Sequence, residues 1–137
     1  YIRLALAQPL MGSAVKAELH SHLGCTLLKQ AESKSLGPEK RDTIRQEARA
    51  VLLQGIAIDQ TFTGNRDSGL GMSYCYLAAL LEQESHPKAA AQQWELCVAH
   101  ALPTSTSEYR DILIYGGFNI AQQINTSRIV SEYRGDS

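Results

Sequence analysis

Four side chains in one short run can ligate a metal: Glu18, His20, His22 and Cys25 of ELHSHLGC. Zinc takes such ligands, usually four to a structural site. On a helix His20 and His22 lie about 200° apart and face opposite ways, whereas a shared metal wants an i, i+4 pair. His22 and Cys25 share a face, but two ligands do not make a site. No second cluster with ligand spacing occurs, so no metal is expected. His86 in a turn and His100 at a helix C-terminus, where an imidazolium suits the dipole, read as structural.

Nucleophile and phosphate motifs fare no better. A nucleophile elbow needs G-x-S-x-G on a strand-to-helix turn. The nearest string, Gly71-Met72-Ser73-Tyr74-Cys75, lacks the last glycine and follows no strand. Gly64, Gly69 and Gly71 precede a helix that could hold an anion. Without Gly-Lys-Ser/Thr or a βαβ frame they read as a flexible turn. No catalytic residue and no cofactor are expected, and the chain does not read as an enzyme.

Arg41, Arg45 and Arg49 recur at i, i+4, i+8 on one helix, flanked by Glu39, Asp42 and Glu47. That pattern reads as a solvated face. Tyr74, Tyr76, Tyr109 and Tyr115 are not interleaved with Lys or Arg, as a nucleic-acid platform would require. Arg134-Gly135-Asp136-Ser137 looks like the integrin-recognition tetrapeptide, and Asn125-Thr126-Ser127 is a glycosylation sequon. Both depend on secretion, which nothing else here signals. Cys25, Cys75 and Cys97 are odd in number, with no CxxC. Each lies in a helix-like apolar pattern, so they read as free small hydrophobes in a reducing, cytoplasmic setting.

The elements that must position these residues follow from patterning. The 137 residues suit one domain, with 44% apolar and 20% charged residues. A net charge of −1 offers no field for nucleic acid or an anionic membrane. Apolar stretches such as Val51–Leu53 and Tyr74–Leu81 are too short to span a bilayer. The chain has no initiator Met and no signal-peptide pattern, which reads as an excised domain or a processed chain. Residues 1–8 read as a helix end stopped by Pro9, and 13–32 as a helix capped by Ser13. Ile44, Ala48, Val51, Leu52, Gly55 and Ile56 mark an amphipathic helix over about 39–60. A polar loop at 61–69 follows, then helices over 68–84, 87–101 and from Ser105 or Ser107 to about 123. All four prolines fall between periodic segments, and no strict alternation occurs. The fold class is all-α, with about five to six antiparallel helices.

Within these helices a pattern recurs. Leu23-Gly24-x-x-Leu27 aligns with Leu77-Ala78-x-x-Leu81 and with Gly116-Gly117-x-x-Ile120. The first two are followed by helices carrying Ala48, Leu52, Gly55 and Ala90, Trp94, Cys97. Antiparallel helices touch closely where small side chains let the backbones approach. Gly24, Ala78, Ala48 and Ala90 would be those notches, and Leu52 and Trp94 would fill the gaps between pairs.

This order of small and large residues resembles the tetratricopeptide repeat (TPR), a helix-turn-helix unit of about 34 residues. The match is best over 71–103, closing on Leu102-Pro103, fair over 18–59 and weak over 108–123. The resemblance implies a single TPR-like domain stacked as a short right-handed superhelix. Residues 1–8 would end a truncated preceding unit; 13–60 would be unit one with an enlarged turn around 31–43; 68–103 would be unit two; 105–123 would open unit three; 124–137 would be a tail. The unit-to-unit steps of 54 and 39 residues, and Gly116 where Leu is usual, depart from the family.

Family members mostly bind peptides or partner proteins on a concave face lined by the first helix of each pair. The resemblance places Glu18, Ser21, Cys25 and Lys29 there from unit one. It adds Met72, Cys75, Ala79 and Gln83 from unit two, and Asp111, Ile114, Phe118 and Gln122 from unit three. Ser21 and Cys25 stand where a clamp for a C-terminal carboxylate needs Lys and Asn, so that specificity is not expected. Met72, Cys75 and Phe118 suit an apolar peptide or an amphipathic helix. The expected function is a protein- or peptide-binding scaffold, part of a larger protein. The alternative is a ligand-sensing or regulatory segment of a bacterial multidomain signalling protein. Partners are proteins or peptides, not nucleic acid or membrane. Self-association through the apolar ends (Ile2, Leu4, Leu6, Ile129 and Val130) is a further expectation.

Overall fold

The computed structural model describes the backbone of residues 13–61, 71–101 and 106–133, and the side chains of 15–61, 71–101, 106–116 and 119–124. These residues form helices and connecting turns, with no strand among them. The helices are α1 (Ser13–Ala31), α2 (Pro38–Thr61), α3 (Met72–Gln83), α4 (Pro87–His100) and α5 (Thr106–Tyr133). The expected helix at 1–8, all but the first residue of the loop expected at 61–69, and Arg134–Ser137 lie outside the described residues, as do the side chains of Ile129 and Val130.

Local chemistry sets the boundaries. Pro38 opens α2 and Pro87 opens α4, at positions where a missing N–H costs nothing. Gly71 caps α3 in the left-handed region, at φ 98°, which a side chain would oppose. The helix therefore starts at Met72. The turn from α1 into α2 is held by Arg41, whose guanidinium donates to the Ala31 carbonyl at 2.9 Å and the Ser33 carbonyl at 3.0 Å. Arg49 pairs with Glu84 across to the end of α3. The arginine stripe read as solvated is thus partly structural, because its long side chains reach orphan carbonyls and a neighbouring acid. α5 runs on to Tyr133, so residues expected as a tail extend the helix.

Two helix pairs carry most of the packing: α1 with α2, and α3 with α4. Their core includes Leu28, Ala48, Leu52, Ala78, Leu80, Ala90 and Trp94. A Cβ on Gly24 would fall inside the Leu52 side chain, 2.6 Å from its Cγ. Leu52 therefore fills a notch within its own pair, not the gap between pairs. Trp94 does bridge outward: its ring lies where a Cβ on Gly116 of α5 would come within 2.8 Å, and its indole N–H donates to Glu82 at 2.9 Å.

Cys75 and Cys97 form a disulfide across the α3–α4 pair, and only Cys25 is free. This corrects the expectation of three free thiols. The two cysteines sit on facing helices with Cα atoms 4.8 Å apart, within the range a disulfide spans. Disulfides persist in oxidising settings, so the argument for a reducing compartment falls away. Among the described residues, no helix is long and apolar enough to cross a membrane.

Candidate binding site

The first helices of the pairs, α1 and α3, are followed along the same side by α5. Helices α1 and α5 each pack on α3 and, among the described residues, make no backbone contact with each other. Their side chains nevertheless meet. The Asp111 carboxylate, on α5, takes a hydrogen bond from the Cys25 thiol at 3.4 Å and from the Tyr76 hydroxyl at 3.3 Å. The Lys29 ammonium reaches it at 3.0 Å. Beside this lies a second carboxylate, Glu32, just past the end of α1. It accepts from the Gln83 amide at 3.0 Å and the Tyr115 hydroxyl at 3.1 Å.

Helical spacing explains the convergence. Cys25, Lys29 and Glu32 are four and three residues apart, so they follow one stripe of α1 into the turn after it. Tyr76 and Gln83 are seven apart on α3, and Asp111 and Tyr115 four apart on α5. Three stripes therefore meet in order along one side of the molecule.

Burial and charge act on these groups together. Burial pushes the Cys25 thiol up to about 12, and the Asp111 carboxylate adds to the effect. At neutral pH it is a protonated hydrogen-bond donor and a poor nucleophile. Burial raises the Tyr76 hydroxyl well above its ordinary value, reinforced by Cys25 and Asp111. Tyr115 is raised as well, by burial first and then by Glu32. The hydrogen bond to Asp111 holds Lys29 above its ordinary range. The cluster thus consists of two carboxylates, three neutral side chains that donate to them from within, a Gln amide and one cation at the rim.

Cys25, Lys29, Gln83 and Asp111 of the expected face meet here. Met72, Cys75 and Ala79 do not form an open face: all three are buried, and Cys75 turns to α4 and its disulfide. The one-position step from Cys75 to Tyr76 decides this, because each residue turns a helix by about 100°. Ser21 is buried too, its hydroxyl donating to the Glu18 carbonyl at 2.7 Å, and Glu18 lies beside His22. Ile114 is 68% exposed at the rim and Gln122 is exposed further along α5. The side chain of Phe118 is outside the described set.

Sequence reasoning missed Tyr76, Glu32 and Tyr115. Tyr76 was legible, since Met72, Tyr76, Ala79 and Gln83 keep steps of four, three and four. Glu32 and Tyr115 also keep stripe spacing, three after Lys29 and four after Asp111, but the contact between them spans 83 residues and had no signal in one dimension. His20 is buried and His22 exposed, which follows from their opposite facing. Among the described residues no three His, Cys, Asp or Glu side chains gather as metal ligands.

Comparison with known proteins finds no match to a family model, a curated protein or a solved structure.

Proposed function

We propose that this chain is a non-enzymatic binding module of the TPR-like kind, taking a protein or peptide segment along the side formed by α1, α3 and α5. The observation that carries this is the meeting of side chains from all three helices over α3. Side chains bridge α1 and α5 above α3, with Cys25, Tyr76 and Asp111 buried beneath and Lys29, Glu32 and Ile114 exposed. A polar surface with an exposed apolar side chain suits an extended or helical peptide. The buried, protonated Cys25 thiol serves this role as a donor, not as a nucleophile.

The test is selection of displayed random peptides on the purified chain, followed by affinity measurement of the peptides recovered. Ile114→Glu is the control, because that exposed residue carries no core packing. The expected result is saturable binding, weakened roughly ten-fold by Ile114→Glu with helix content unchanged. Peptides bound equally by the variant would move the site elsewhere. Recovery of no saturable binder would overturn the reading.

A further inference from the structure

One buried titratable side chain has no place in that cluster. His20 of α1 is 9% exposed, and its Nδ1 is enclosed without a hydrogen-bond partner among the described residues. It sits where three helices meet. A Cβ on Gly55 of α2 would lie 3.2 Å from the His20 Cβ and would collide with the Ser73 hydroxyl of α3. Only the missing side chain of Gly55 lets α2 close on both. The residues that α2 and α3 bring to this junction, Gly55 and Ser73, do not titrate. The titratable groups next along those helices, Asp59 and Tyr74, meet a different histidine. His100 Nδ1 lies 3.3 Å from the Asp59 carboxylate, and its ring centroid is 5.1 Å from that of Tyr74. On α1 itself, Glu18 lies beside His22, which faces the other way. Lys16 stands one turn before His20 and acts on it by charge.

We propose that His20 is an acid-sensitive latch, which holds α1 against α2 and α3 at Gly55 while its ring is neutral and releases that junction when the ring is protonated. In a neutral imidazole Nδ1 can stand as a bare acceptor. Protonation makes it an N–H donor and places a charge on a ring shut off from water. A buried charged donor without a partner is costly, and opening the junction returns the ring to solvent. Lys16 adds repulsion between like charges on one helix face. Burial first, and then Lys16, thus hold the closed ring below its ordinary 6.5. Below pH 6.5 the opened state binds more protons than the closed one, so the closed junction loses ground as pH falls. One proton shifts the opening equilibrium by at most about ten-fold per pH unit. Protonation of His100 acts the other way, since it sets a cation beside the buried Asp59 carboxylate. The release is therefore confined to the His20 junction. It takes place whether or not a partner occupies the side formed by α1, α3 and α5.

The test is an NMR titration of the histidine rings in the whole chain from about pH 8 to about pH 5, where imidazole takes its proton. Amide hydrogen exchange, corrected for intrinsic rates, is read at both ends of that range. The His20 ring is expected to titrate below 6.5. Protection of the α1 amides around His20 and the α2 amides around Gly55 is expected to fall by about ten-fold on acidification, while α4 keeps its own. Lys16→Gln, a change outside the core, should move the His20 titration upward with helix content unchanged. His20→Gln, which cannot take the proton, should abolish the acid-dependent loss of protection. A His20 ring that titrates at or above 6.5 would overturn the latch. So would protection lost evenly along all five helices, protection kept around Gly55, or the same acid-dependent loss in His20→Gln. A titration unmoved by Lys16→Gln would overturn the electrostatics of the closed state. Should His20→Gln fail to fold, the wild-type titration and Lys16→Gln decide between the outcomes.

Discussion

Gly24→Ala should destabilise the protein, although alanine is the better helix former. The substitution alone would gain about 1 kcal/mol of helix propensity. Against that stands the approach of α2. The added Cβ would lie 2.6 Å from the Leu52 Cγ, where carbon atoms rest at about 3.5–4.0 Å. Leu52 is fully buried, so it has no solvent to turn toward. Either α1 and α2 separate by about 1 Å or Leu52 leaves its rotamer, and an overlap this deep costs about 2–3 kcal/mol, the upper part of the usual range for overpacking. The net expectation is a loss of about 1–2 kcal/mol, read in urea denaturation followed by circular dichroism. The melting temperature should fall by about 4–8 °C. Leu52→Ala by itself should cost about 2–5 kcal/mol. In the double variant the new methyl enters the vacated space, so the two losses should fall short of additivity by about 1 kcal/mol. A neutral or stabilising Gly24→Ala, or strict additivity in the double variant, would refute the close-approach reasoning.

Two further outcomes follow from the core and the cluster. The Cys75–Cys97 bond closes a separation of 22 residues, so Cys75→Ala/Cys97→Ala should lower stability by about 3 kcal/mol; equal denaturation midpoints for the variant and the oxidised protein would sink this. Stability should also fall in alkali, because the folded chain keeps the Cys25 proton to about 12 while the unfolded chain releases it near 9.0. Above pH 9 the unfolded state binds fewer protons, giving a loss of about 1.4 kcal/mol per pH unit from this group, with the raised Tyr76 and Tyr115 adding to it above pH 10. Cys25→Ala should flatten the slope between pH 9 and 10, and a wild-type stability that stays level there would count against the buried thiol.

Much of the helix order was legible in one dimension. Apolar residues at steps of three and four, with Pro38 and Pro87 at helix starts, located α1, α2, α3 and α4 to within a few residues. Those signals are local, since a helix closes its hydrogen bonds within its own chain segment. Gly24 and Ala48 announced close packing because small side chains have few other uses in an apolar stripe. What they packed against was not legible: Leu52 turned inward within its pair, and Trp94 outward to Gly116. The Cys75–Cys97 pairing was hidden for the same reason, as both residues obey helical periodicity and only the facing of two helices brings them together. Cys25 obeys the same periodicity and stays free. Residue types and spacing thus determined that this chain is helical and where its helices run. Tertiary structure alone decided which cysteines bond, which stripe closes over, and that Lys29, Glu32, Tyr76, Asp111 and Tyr115 gather in one cluster, because contacts across 22 to 86 residues depend on how helices pack and not on the pattern within any of them.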